Sequence, residues 1–195
     1  MRNRSFIALF VAFLVIPFEV FPQDKTKIGF IIPLSGEMAF VGDDIRKGVE
    51  LALNEDQELS SRLQVAYEDN QFELSKSASA AHKLISTDKS NILVSLWDGA
   101  DVVAPIAEKE KKLHIAIRWD PEIAQSYTST IMFESPYMSY ADKELEIAEK
   151  LKAKKIAIIE SAHKSQRLIF DYLTSKFKEK DIKLIERITI TEGYK

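Results

Sequence analysis

The chain has 195 residues, enough for one large domain or two small ones, and its 46% hydrophobic and 29% charged residues with only six Gly and six Pro exclude collagen-like, low-complexity and disordered classes. A net charge of −3 offers no basic field for a phosphate backbone, so nucleic acid is not an expected partner. The lack of cysteine removes disulfides, thiolate metal sites and Cys nucleophiles, and three scattered histidines (His82, His114 and His163) leave little for a metal; neither metal nor cofactor is expected.

Arg2 and Arg4 precede an apolar run from Phe6 to Phe18, and Glu19 and Gln23-Asp24-Lys25 follow it. A positive start and an apolar stretch of about 7–15 residues predict a secretory signal over 1–23. The location expected from it is periplasmic or otherwise extracytoplasmic. A membrane span needs about 20 apolar residues, so no insertion is expected once the signal is removed.

A βα series comes next. Lys27 to Pro33 is a continuous apolar run, as for a strand buried on both faces. Ile45, Gly48, Val49, Ala52 and Leu53 form one helix face, with Gly48 expected to let the helix lie close to the sheet. Leu63–Tyr67 reads as the second strand, and Ser77, Ala80, Ala81, Leu84 and Ile85 as the second helix face. Ile92–Leu96 is the third strand, Ala100, Val103, Ala104 and Ala107 the third helix face, and Leu113–Ile117 the fourth strand. The fold class is therefore α/β: a parallel sheet with helices on both faces and right-handed crossovers.

Residues 118–137 break the rhythm. Arg118-Trp119-Asp120-Pro121 is turn-like, Thr130–Glu134 is a short fifth strand, and Ser135-Pro136 punctuates the chain. The pattern restarts with a helix carrying Ala141, Leu145 and Ala148, a strand at Lys155–Glu160, a helix carrying Ile169, Tyr172, Leu173 and Phe177, and a strand at Ile182–Thr191. The expected organisation is a signal at 1–23, a first α/β lobe at 24–137 and the start of a second, incomplete lobe at 138–195. Two strands alone cannot close an α/β core, so this last unit reads as truncated or in need of a partner.

The stretch Ile28-Gly29-Phe30-Ile31-Ile32-Pro33-Leu34-Ser35-Gly36, followed by Gly42-Asp43-Asp44-Ile45-Arg46-Lys47-Gly48-Val49-Glu50-Leu51-Ala52, resembles the opening of the branched-chain amino-acid-binding proteins. These are type I periplasmic solute-binding proteins of ABC transporters. Glu68-Asp69-Asn70-Gln71, Ala104-Pro105-Ile106-Ala107-Glu108 and Ala153-Lys154-Lys155-Ile156-Ala157-Ile158 extend the resemblance over about 28–190. It implies two lobes closing on a small ligand such as an amino acid, a membrane permease as partner, and no enzymatic activity.

Ligands of open α/β sheets bind beyond the carboxyl ends of the strands, where helix N-termini present free N–H groups. Three loops should face that cleft: Ser35-Gly36-Glu37, Leu96-Trp97-Asp98-Gly99 and Arg118-Trp119-Asp120. The candidate ligand contacts are Ser35, Gly36, Trp97, Asp98, Arg118 and Trp119. Each has a plainer alternative. Ser35-Gly36 can be only a turn, Asp98 a helix cap, the tryptophans local packing, and Arg118 a solvated charge. Glu68-Asp69 reads as a polar strand end rather than a metal site.

The resembling family usually has small hydroxyl residues where Leu96-Trp97-Asp98 stands, and Ala, Ser or Thr where Arg118-Trp119 stands. A guanidinium can clamp a carboxylate and indoles supply flat walls, so these positions suit an anionic or aromatic-walled ligand better than a plain aliphatic amino acid. No GxGxxG follows the first strand, and no GxxxxGK[ST], HExxH or G-x-S-x-G occurs. A ligand-sensing module of the same fold and a truncated, non-binding remnant stay open beside the transport reading.

Overall fold

The computed structural model describes residues 24–191, so the expected secretory signal lies outside the described residues. Five parallel strands, β1 (Thr26–Ile32), β2 (Leu63–Asp69), β3 (Ile92–Leu96), β4 (Leu113–Ile117) and β5 (Thr130–Met132), form one sheet in the order β2-β1-β3-β4-β5. The helices between them are α1 (Ala39–Glu55), α2 (Gln57–Arg62), α3 (Leu74–Ser86), α4 (Trp97–Lys109) and α5 (Glu122–Ser126). A second, two-stranded parallel sheet pairs β6 (Lys155–Ser161) with β7 (Lys183–Ile190); α6 (Tyr137–Lys150) precedes it and α7 (Lys164–Phe177) crosses it.

The core follows the apolar period. Ala80, Ala81 and Leu84 of α3 and Val103 and Ala107 of α4 pack on Ile31 and Leu93, all buried. Each large side chain so buried contributes about 1.5–3 kcal/mol. Gly29 admits this packing: a Cβ there would meet Leu84 Cδ1 at 2.8 Å and Ser90 Oγ at 2.9 Å. A polar ladder crosses the same face. His114 is buried on β4, with Ser95 Oγ 2.8 Å from Nε2 and Thr130 Oγ1 3.1 Å from Nδ1.

Two expectations are corrected. Gly48 is exposed and a Cβ there would touch nothing, so it does not bring α1 to the sheet. The close approach is at Gly42, where a Cβ would lie 1.9 Å from the Pro33 carbonyl oxygen. The helix meets the end of β1 at its first turns, and Gly48 lies on its outer side. The short helices α2 and α5 were not expected, because they carry almost no apolar period: α2 buries no residue and α5 buries Ile123 alone. A cap starts α2, with Asp56 accepting from the Leu59 amide at 2.9 Å.

The second sheet is built on one side. Ala141, Leu145 and Ala148 of α6 and Leu173 and Phe177 of α7 bury Ile158 and Ile182. On the same side Arg187 donates to both oxygens of buried Glu160, at 2.8 and 2.7 Å, and Thr189 donates to it at 3.0 Å. On the opposite side Ala157, Ile159, Ile188 and Ile190 are exposed.

Candidate functional site

Chain order reverses direction across the sheet between β1 and β3, the position where open α/β sheets leave a crevice at their carboxyl ends. The loops after β1, β2, β3 and β4 meet there. Asp69, the last residue of β2, organises the first of them. Its Oδ1 accepts from the amides of Leu34 (2.8 Å), Gln71 (2.9 Å) and Ser35 (3.3 Å), and its Oδ2 accepts from the Ser35 hydroxyl at 2.5 Å. Burial works against the Asp69 carboxylate, but the Ser35 hydroxyl and these amides outweigh it and hold its pKa below the usual range. The Ser35 hydroxyl is therefore committed to the chain's own carboxylate. Gly36 is exposed in the turn with φ +81°, where only glycine is unstrained, and its carbonyl accepts from Ala39 N at 3.2 Å.

Trp97 lies at the tightest point. Strand β3 passes into helix α4 with no loop, so one residue makes the turn, and Trp97 takes φ +46° to do it. Gln71 and Phe72 are also left-handed, at φ +49° and +62°. Side chains hold that loop: Gln71 N donates to Asp69, and Phe72 N donates to Asn70 Oδ1 at 3.1 Å. A bulky residue in this region costs on the order of 1–2 kcal/mol, and such strain persists where surrounding structure fixes it. The two strained turns bring Phe72 and Trp97 edge to face, with ring centroids 5.5 Å apart.

These rings wall a cavity of about 220 Å³, completed by Met38, Asp98, Trp119, His163 and Gln166. A wider groove of about 850 Å³ shares Met38, Phe72, Asp98 and His163 with it and runs past Pro33, Asn70, Ser77, Leu96 and Gly99. Phe72 and His163 stand 6.5 Å apart between ring centroids, so the cavity draws on the residues around the start of α7 as well as on the first sheet. Behind Trp119 lie Tyr140, 6.2 Å away, and Glu134. Burial pushes the Glu134 carboxyl up, against the lowering effect of the Trp119 indole and the Tyr140 hydroxyl.

Arg118 is neither a solvated charge nor a free clamp. It is 1% exposed, and its two terminal nitrogens donate to Asp98 Oδ1 at 2.5 Å and Asp101 Oδ2 at 2.9 Å. The pairing of β3 with β4 sets the end of β4 beside the first turn of α4. Asp98 accordingly bonds Arg118 rather than capping α4, which has no side-chain cap. Lys164 of α7 closes the cluster, 3.6 Å from Asp120 and 3.9 Å from Asp101. Burial raises the Asp101 pKa, although Arg118 and Lys164 pull it down.

Of the six expected contacts, Trp97, Asp98 and Trp119 line the cavity, Ser35 and Gly36 shape a neighbouring turn, and Arg118 supports the rim from beneath. Met38, Phe72, His163 and Gln166 were not singled out from the sequence. A signal for Arg118 was present: Asp98 and Asp101 are three apart on one helix, beside the end of the next strand. Among the described residues no cluster of His, Asp or Glu is arranged to hold a metal ion.

The chain matches the family model described as "Periplasmic binding protein" over residues 25–194. It belongs to the periplasmic binding protein family. Solved periplasmic binding proteins of type I share its fold. An ABC-transporter solute-binding protein from Rhodopseudomonas palustris, in complex with 4-hydroxybenzoate, superposes with a TM-score of 0.81 at 19% identity, covering 88% of this chain and 48% of that one. A second from the same species, strain BisB5, in complex with 3,4-dihydroxybenzoic acid, gives 0.79 at 19% identity, with 87% and 48% covered. A branched-chain amino-acid transporter substrate-binding protein from Streptococcus pneumoniae, in complex with isoleucine, gives 0.75 at 20% identity, with 87% and 51% covered. The chain thus spans about half the length of these solved relatives. No curated protein matches it.

Proposed function

We infer that the chain is the first lobe, near 24–137, and the opening of the second lobe of an exported solute-binding protein serving an ABC-transporter permease, without enzymatic activity. Its solute is a small organic molecule with a flat or apolar part, held in the cavity between the strand ends and α7. Closure of the lobes about a hinge would shut the solute between Trp97 and Trp119 on one side and His163 and Gln166 on the other. One observation carries this reading: the cavity is aromatic, lies at the strand carboxyl ends, and is lined from both parts of the chain. Its size is right for a single ring, since a cavity of about 150 Å³ accepts benzene. The solved relatives named above hold aromatic acids or isoleucine, in keeping with this solute class.

Trp97 and Trp119 are the only tryptophans in the chain, so intrinsic fluorescence reports on this cavity. Titration of the full chain with amino acids, amides, hydroxybenzoates and aromatic amines should give a saturable change for at least one class. The response should weaken in Trp97→Ala and Trp119→Ala. A flat response across the whole panel overturns the solute site. Export is tested separately by an alkaline phosphatase fusion at Lys27, and activity confined to the cytoplasm would overturn it.

A further inference from the structure

We propose that the aromatic cavity selects a solute bearing a positively charged amine over one bearing a carboxylate. This deepens the reading of the cavity as the solute site and rests on it. The first observation is the loss of the expected anion clamp: Arg118 lies buried and spends both terminal nitrogens on Asp98 and Asp101. Lys164 of α7 faces Asp120 and Asp101, and Lys76 is paired with Glu73 at 2.8 Å. Among the described residues, no Lys or Arg lines either the cavity or the groove that joins it.

The second observation is the sign of what remains. Asp98 lines both spaces but is paired with Arg118, Glu73 of the groove is paired with Lys76, and Glu37 is a groove carboxylate with no ion pair among the described residues. The N-terminus of α4 would itself draw an anion, but Asp98 in its first turn already occupies that field. A carboxylate entering the cavity would find no Lys or Arg among the lining residues to receive it. The third observation is the walls. Phe72, Trp97 and Trp119 present aromatic rings, whose faces attract an ammonium and whose apolar surface receives its substituents. Aromatic walls, the Glu37 carboxylate of the joining groove and a guanidinium already spent on Asp98 and Asp101 together suit an alkyl- or arylammonium group.

Three probes with one ring separate charge from shape: benzyltrimethylammonium, benzyl alcohol and benzoate, titrated by tryptophan fluorescence and calorimetry on the full chain. The ammonium should bind about tenfold tighter than benzoate. Glu37→Gln should shrink that ratio and leave benzyl alcohol unchanged, and Asp98→Asn should shrink the ratio as well. Asp98→Asn also loosens Arg118; Glu37 is exposed and makes no ion pair among the described residues, so Glu37→Gln carries the test if the other variant does not fold. Benzoate binding as tightly as the ammonium, or a ratio unmoved in both variants, overturns the inference. A response to benzoate or benzyl alcohol without preference for the ammonium overturns the charge selection alone and leaves the solute site standing. Silence of all three probes, with a flat response across the wider panel, overturns both.

Discussion

The two sheets of this chain use the same strand grammar and end in different states. In the five-stranded sheet, Ile31, Leu93 and Ala116 are fully buried, and β1 and β3 each have a neighbour on either side. In the two-stranded sheet, α6 and α7 cover one face, and the other leaves Ile159 65% exposed. A continuous apolar run such as Lys155–Ile159 states that both faces of a strand tolerate burial. It does not state that both are buried in this chain. Strand sequence sets the face a residue occupies, and the number of neighbouring elements sets the energy gained there.

The largest effect should come from the first sheet. Leu93→Ala removes a fully buried side chain from the contact of α3 and α4 with the sheet. It should cost about 2–5 kcal/mol in urea unfolding, the range for emptying a packed site. A cost below about 1 kcal/mol would mean that this core is no better packed than the outer face of β6.

Acid should separate the sheets next. Burial pushes the His114 pKa down from 6.5 to about 4, so the folded state holds it neutral. The unfolded chain takes up that proton first, and stability is lost as pH falls from about 6.5 towards 4, by up to about 3 kcal/mol. In the second sheet, the Arg187 pair holds the Glu160 pKa below its ordinary value of 4.5, and burial only partly offsets this. Its contribution is present above that value and lost below it. Unfolding followed against pH should therefore show a loss between about pH 6.5 and 4 that His114→Asn removes, and a later acid loss that Glu160→Gln removes. A His114→Asn profile with the original slope would refute the first half.

Much of this fold was legible in the sequence. The strands Ile92–Leu96 and Leu113–Ile117 stand where their apolar runs placed them, and Ala100, Val103, Ala104 and Ala107 are the buried stripe of α4. Short-period patterns survive into structure because burial enforces them residue by residue. The site was less legible. Phe72 reaches Trp97 where three non-glycine residues, Gln71, Phe72 and Trp97, take left-handed backbone, which no propensity announces. His163 and Gln166 join from far along the chain. Arg118 was read as clamp or solvated charge, and its burial follows from the β3–β4 pairing, which sets Asp98 and Asp101 beside it.

Arg118 gives the next smaller effect. Arg118→Ala leaves Asp98 and Asp101 facing each other without their cation. Both carboxylates are about a third exposed, so the cost should be roughly 1–3 kcal/mol, below the range for a wholly buried pair. Restoring charge in Arg118→Lys should recover only part of it, because one amine cannot span both partners as the guanidinium does. Equal stability of the Lys variant and the parent would reduce Arg118 to a point charge.

The smallest effect is expected on the open face of the second sheet. Ile159→Thr keeps a β-branched side chain at a position 65% exposed, where little apolar contact can be lost. The change should stay within about 0.5 kcal/mol, as for surface positions. Hydrogen exchange sharpens the same point. With one strand neighbour each and one face open to water, β6 and β7 should open at lower free energy than β1 and β3. Amides of Ile158 and Ile188 should then exchange well before those of Ile31 and Val94. If the 154–190 segment exchanged as slowly as β1, or if Ile159→Thr cost as much as Leu93→Ala, the open face would have to be covered in solution. The contrast between the two sheets would then be one of partners rather than of packing.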